Sequence, residues 1–152
     1  RSDLSVTLLE PLLRRTVFLN ECVELLLLDN VRVYRGRAEE VHAKLRADIV
    51  TARAVAPLPK LIGWALPLLR KGGSLLALKG ERAEAELEEA RHELARQRPN
   101  IADVIRVGGG KVDPATTVVR VTVTTALETG TKAAPSRSPR KPGGRKKRGR
   151  KR

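Results

Sequence analysis

Apolar positions in this chain recur with two spacings, near two and near 3.6 residues, and the changes between them mark the elements. The clearest succession runs from Val50 to Gly80, VTARAVAPLPKLIGWALPLLRKGGSLLALKG. Asp48-Ile49-Val50-Thr51 is a short β-branched run with a charged flank and predicts a strand. Leu61-Ile62, Ala65-Leu66 and Leu68-Leu69 repeat at helical spacing, and Gly72-Gly73 is the expected stop of that helix. Ser74 to Leu78 is almost wholly apolar, as in a strand covered on both faces. The three form a β-α-β unit whose crossover should be right-handed.

Upstream, Asp3 to Leu9 alternates weakly and reads as a strand ending at Glu10. Pro11 suits the opening of a helix, where a missing N–H costs little. Leu12-Leu13, Val17, Phe18, Cys22, Val23 and Leu26 then form a helical stripe. Asp29-Asn30 closes that helix, and Val31 to Tyr34 predicts a further strand leading into Gly36-Arg37-Ala38-Glu39-Glu40. Downstream, Ala83 to Gln97 is a run of good helix formers with few apolar anchors, ended by Pro99-Asn100. Ile101 to Val107 and Thr117 to Thr125 are β-branched runs that should pair as an antiparallel hairpin. Strands and helices in this alternation predict a doubly wound α/β sheet.

Charge divides the chain unevenly. The formal net charge is +14, yet residues 132–152 carry 11 Lys or Arg and no acid, leaving 20 basic and 17 acidic residues elsewhere. The globular part is therefore close to neutral. From Thr129 onward Gly, Pro, Ser, Lys and Arg dominate, a composition that cannot bury enough apolar surface to order itself. Two segments follow, a folded domain over 1–128 and a disordered basic tail over 129–152. Aromatic residues make up only 2%, so the core must consist of Leu, Val, Ile and Ala. Leu25 to Leu28, the longest apolar run, falls far short of the ~20 residues that span a bilayer, and no membrane role is expected. A single cysteine, Cys22, and no signal-like N-terminus point to a cytoplasmic protein. No methionine occurs anywhere, so the true start is expected upstream of Arg1.

In open sheets of this kind ligands bind beyond the carboxyl ends of the strands. Three positions stand there. Glu10 could accept hydrogen bonds from ribose hydroxyls, and it could equally be an acid favoured by a helix start. At Ala38-Glu39 a backbone N–H and a carboxylate could read an adenine edge, and an acidic first turn is the plain alternative. Arg53, among small residues in Ala52 to Pro57, could bind an anion or simply solvate its loop. Lys79, at another strand end, and Arg14 and Arg15 could meet RNA phosphates, although surface charge explains the two arginines as well. His42 and His92 lack companions at metal-ligand spacing, and no metal is expected. Trp64 is expected to pack within its helix.

The wording of TARAVAPLPKLIGWALPLLRKGG, with the later Ala77-Leu78-Lys79-Gly80, closely resembles the RsmG or GidB family from about Leu4 to Thr125. The resemblance implies a Rossmann-like S-adenosylmethionine-dependent methyltransferase fold, mostly parallel, ending in an antiparallel hairpin. It implies transfer of a methyl group to N7 of a guanine in 16S ribosomal RNA, with the small ribosomal subunit as partner; a monomer is expected. By the same resemblance Glu10 would bind the cofactor's ribose, Ala38 and Glu39 its adenosine, and Arg53 its methionine carboxylate. Guanine N7 carries a lone pair and no proton, so no catalytic acid or base is nominated. The family's first strand and glycine-rich cofactor loop have no counterpart here, since Gly108-Gly109-Gly110 comes too late, and an N-terminally truncated domain is expected. The alternative is a non-catalytic RNA-associated protein that binds through its basic tail. A nicotinamide-dependent oxidoreductase is disfavoured, because no G-x-G-x-x-G precedes a helix and Tyr34 has no lysine four residues later.

Overall fold

The computed structural model describes residues 1–97, 100–111 and 113–124. Strand β1 (Val6–Glu10) leads into helix α1 (Leu13–Leu25) and strand β2 (Val31–Arg35), and a short 3-10 turn follows at Ala38–Glu40. Next come β3 (Ala47–Arg53), α2 (Leu58–Ala65), a 3-10 turn at Leu66–Leu68 and β4 (Leu69–Lys79). The described chain closes with α3 (Ala83–Glu89), α4 (Arg91–Arg96), β5 (Asn100–Val107) and β6 (Thr116–Val123). The basic tail lies outside the described residues.

Parallel and antiparallel pairing fall where the alternation places them, with one difference: the strands form two sheets. β1 and β2 pair in parallel, setting Glu10 opposite Arg35. The second sheet has the order β3-β4-β6-β5, with β3 parallel to β4 and the last two pairings antiparallel. The expected C-terminal hairpin is therefore present, while β1 and β3 are not hydrogen-bonded to each other. The turn at Ala38–Glu40 packs against α2, and the His42 ring nitrogen Nε2 lies 3.0 Å from the Trp64 carbonyl oxygen, so this segment links the halves.

The core belongs to the larger sheet. Leu58, Ile62 and Leu66 meet Leu75 and Ala77 of β4 and Val119 and Val121 of β6, all fully buried. Each such Leu or Ile contributes ~1.5–3 kcal/mol by leaving water. Ala83 and Ala90 complete the layer with small side chains that let α3 approach closely. Within α2, Pro57 at the N-cap and Pro59 in the first turn give up N–H groups that would have no helical partner.

Three sequence expectations change in the structure. The helix over Leu61 onward ends at Ala65; Leu69 already begins β4, and Gly72-Gly73 lies inside that strand's range instead of stopping the helix. A Cβ at Gly73 would stand 2.8 Å from the Asp48 carbonyl oxygen, so the glycine permits the backbone approach beside the irregular β3 register at Ala47 and Ile49. Ala83 to Gln97 is two helices, not one, turning at buried Ala90 so that both Leu87 and Leu94 reach the core. The α1 stripe does not face a core: Leu12, Leu13, Val17, Phe18 and Leu26 are exposed, and Thr16 alone in the helix is buried. Thr16 donates its hydroxyl to the Leu12 carbonyl at 2.7 Å, which makes that burial tolerable.

Candidate functional site

Parallel pairing brings the carboxyl ends of β1 and β2 side by side, and a shallow groove of about 400 Å³ opens there. Pro11, Leu12, Arg35, Gly36, Arg37 and Glu40 line it. Gly36 is held by its N–H to the Glu10 carbonyl at 3.2 Å. A Cβ on Gly36 would meet the Tyr34 ring and Val41 at 3.3 Å, so glycine here lets the backbone pack closely against those two side chains.

Glu10 stands at the end of β1 beside this groove. Its Oε1 accepts the Leu12 N–H at 2.8 Å, and Oε2 lies 3.7 Å from the Arg15 guanidinium. The ribose reading and the helix-start reading are therefore compatible, because one oxygen ties down the entry to α1 and the carboxylate keeps further acceptor capacity. Ala38 and Glu39 form the first two residues of the 3-10 turn after β2. In that turn Glu40, not Glu39, accepts the Arg37 N–H, at 3.1 Å. Glu39 remains exposed, with no hydrogen-bond or ion-pair partner among the described residues.

Arg53 ends β3, on the other sheet, and does not line the groove. It is exposed and has no hydrogen-bond or ion-pair partner among the described residues. The next residue, Ala54, holds φ at +52°, a left-handed conformation uncommon for a residue bearing a Cβ. The structure thus groups Glu10 with Ala38 and Glu39 at one sheet end and stands Arg53 at the carboxyl end of the second sheet. Arg14 and Arg15 are exposed on the first turn of α1.

Lys79 is placed differently from the other nominated cations. Its side chain is only 12% exposed, its Nζ is 2.7 Å from Glu86 Oε2, and it donates to the Ala56 carbonyl at 3.2 Å. Sequence reasoning overlooks Glu86, whose signal is present: an acid seven residues beyond Lys79, in the first turn of the next helix. Trp64 is half-buried with Lys60 4.8 Å above its ring, a packing role within α2.

Residues 1–110 match the family model described as "GidB: rRNA small subunit methyltransferase G". The chain belongs to the GidB family. Over all 152 residues it is 99% identical to a ribosomal RNA small subunit methyltransferase G of Thermobifida fusca, and it spans 64% of that protein's length. Among solved structures, a methyltransferase from Pyrococcus furiosus superposes with a TM-score of 0.57 at 15% identity, covering 80% of this chain and 64% of that one. An O-methyltransferase from Bacillus cereus in complex with SAH superposes with a TM-score of 0.54 at 16% identity, covering 78% and 62%. At such identities these structures bear on the fold alone, and they agree with the Rossmann-like methyltransferase architecture.

Proposed function

We propose that this GidB chain forms the larger part of an S-adenosylmethionine-dependent methyltransferase acting on N7 of a guanine in small-subunit ribosomal RNA. The observation that carries the reading is the placement of Glu10 and of the turn bearing Ala38 and Glu39 at adjacent parallel strand ends, beside a groove lined by their chain neighbours Pro11, Leu12, Gly36, Arg37 and Glu40, in a chain of this family. The two acids this reading uses stand beside the groove and outside its lining: Glu10 for the ribose hydroxyls, and Glu39, without a partner among the described residues, for the adenine edge. Arg53 would hold the amino-acid end, because an exposed guanidinium can grip a carboxylate through two parallel bonds.

When bound, the cofactor supplies a methyl group already activated by its sulfonium. The chain's own residues then have to hold the two reactants in line, which can contribute ~7–11 kcal/mol to the barrier reduction without any proton transfer. Arg14 and Arg15, exposed on the first turn of α1, would help neutralise RNA phosphates, Arg15 while standing 3.7 Å from Glu10. The reading takes the enzyme to be cytoplasmic and monomeric, with the small ribosomal subunit as its substrate.

The domain over 1–128 is proposed to be incomplete at its N-terminal side. Support comes from β1 and β3, which run parallel to their partners and each keep one edge unpaired among the described residues, where a further strand could join. It also comes from the exposed apolar face of α1. The decisive experiment uses the full-length Thermobifida fusca protein with labelled S-adenosylmethionine and small ribosomal subunits. Label should be retained and appear as 7-methylguanine, and Arg53→Ala should weaken retention at least tenfold. Retention unchanged by both Arg53→Ala and Glu39→Ala would overturn the reading.

A further inference from the structure

The carboxyl end of β3 carries an unusual combination. Arg53 is exposed and unpaired among the described residues, and the residue after it, Ala54, is held left-handed without being glycine. Such a conformation persists only where the surroundings impose it. Two residues further on, the Ala56 carbonyl receives the Lys79 ammonium at 3.2 Å, and the same ammonium pairs with Glu86 at 2.7 Å. The β3–β4 register sets Arg53 opposite Leu78, so Lys79 is the first residue beyond Arg53's own partner. Three elements are joined at one nitrogen: the loop after β3, the end of β4 and the first turn of α3.

We infer that Lys79 is a positioning residue: its clasp with Glu86 holds the loop over Ala54 to Pro57 in place and thereby sets Arg53 toward the cofactor. The inference rests on the proposed role of Arg53 and adds a residue pair to it. It also removes Lys79 from the RNA-binding surface. A lysine side chain 12% exposed, with two of its three ammonium protons already committed to Glu86 and Ala56, has little left to offer a phosphate. Glu86 neutralises the charge that such binding would need. The pair is shielded from solvent, so it should persist at salt concentrations that screen exposed pairs.

The two roles predict opposite behaviour. In the full-length Thermobifida fusca protein, Lys79→Met should weaken S-adenosylmethionine retention about tenfold and speed amide exchange at Val55 and Ala56. The slope of RNA affinity against salt should stay as in the wild type. Glu86→Gln should show an intermediate loss, and Lys79→Arg should restore part of it. Because Lys79 acts through Arg53, adding Lys79→Met to Arg53→Ala should cost little more cofactor affinity than Arg53→Ala alone. A lower Tm with unchanged cofactor affinity and unchanged loop exchange would reduce the clasp to plain stability and overturn the inference. So would a salt slope reduced by about one with cofactor binding intact, the signature of a lysine that had been neutralising a phosphate. If the wild type retains cofactor and Arg53→Ala alone weakens it, the proposed function stands while the clasp falls. Wild-type protein that retains no cofactor overturns both.

Discussion

The role proposed for Glu10 would have one side chain serve structure and chemistry together. Its Oε1 fixes the Leu12 N–H, so removing the oxygen loosens the entry to α1 as well as the groove. Glu10→Gln keeps a carbonyl acceptor for that N–H and should leave thermal unfolding unchanged while cofactor retention drops. Glu10→Ala should lower both, the stability by ~0.5–1.5 kcal/mol, as a thermal melt would register. Away from the site, Arg120 meets Asp103 across β5 and β6 through two bonds of 2.9 and 2.6 Å. The guanidinium holds the Asp103 carboxyl below its ordinary 3.8. The pair therefore adds stability above that value, and the addition fades as pH falls through the lower folded-state value. Asp103→Asn should lower Tm at neutral pH, and melts should show the gap to wild type closing on acidification.

Among the elements, α1 and β3 carry the sharpest contradiction between pattern and environment. Phe18 is 61% and Ile49 53% exposed, although both sit in apolar runs. Apolar spacing states that a face wants cover; it does not state what covers it. Phe18→Ser should therefore leave the stability of the 152-residue chain nearly unchanged, within ~0.5 kcal/mol for a surface position. In the full-length relative, the incomplete-domain proposal expects a loss of a few kcal/mol, as for a truncated buried aromatic. Equal small losses in both proteins, measured by denaturant melts, would argue against an additional strand and its cover. The end of α2 escapes the pattern for a related reason. Leu66, Leu68 and Leu69 are all buried, yet they belong to a 3-10 turn and a strand, and burial on every side erases the period that would tell helix from strand. The break at Ala90 is equally hidden, since alanine favours helix and only the core's position makes the axis turn there.

Over the whole molecule, the charge excess sits apart from the sheets. Residues 132–152 hold 11 basic side chains and no acid, while the remainder is nearly balanced. Deleting them should weaken RNA binding at low salt and flatten its salt dependence, by ~0.7 in the logarithmic slope for each single-strand phosphate no longer neutralised. Cofactor retention should not change, as equilibrium binding to the two proteins would show. If deletion instead abolishes RNA binding while Arg53→Ala leaves methylation untouched, the non-catalytic alternative gains ground.

Local chemistry let the sequence by itself determine the order of strands and helices, the antiparallel close and the segregation of charge. β-branched runs, helix-forming runs and blocks of Lys and Arg act within a few residues of themselves, and so they can be read along the chain. Family wording likewise singled out Glu10, Ala38, Glu39 and Arg53 as residues. Only the tertiary structure decided that β1 and β2 stand as a separate sheet, that Glu10 comes opposite Arg35 at its end, and that Lys79 faces inward. Those outcomes depend on hydrogen bonds and ion pairs between elements, such as Lys79 with Ala56, 23 residues apart in the chain. No periodicity encodes which partner a side chain finds once the layers close.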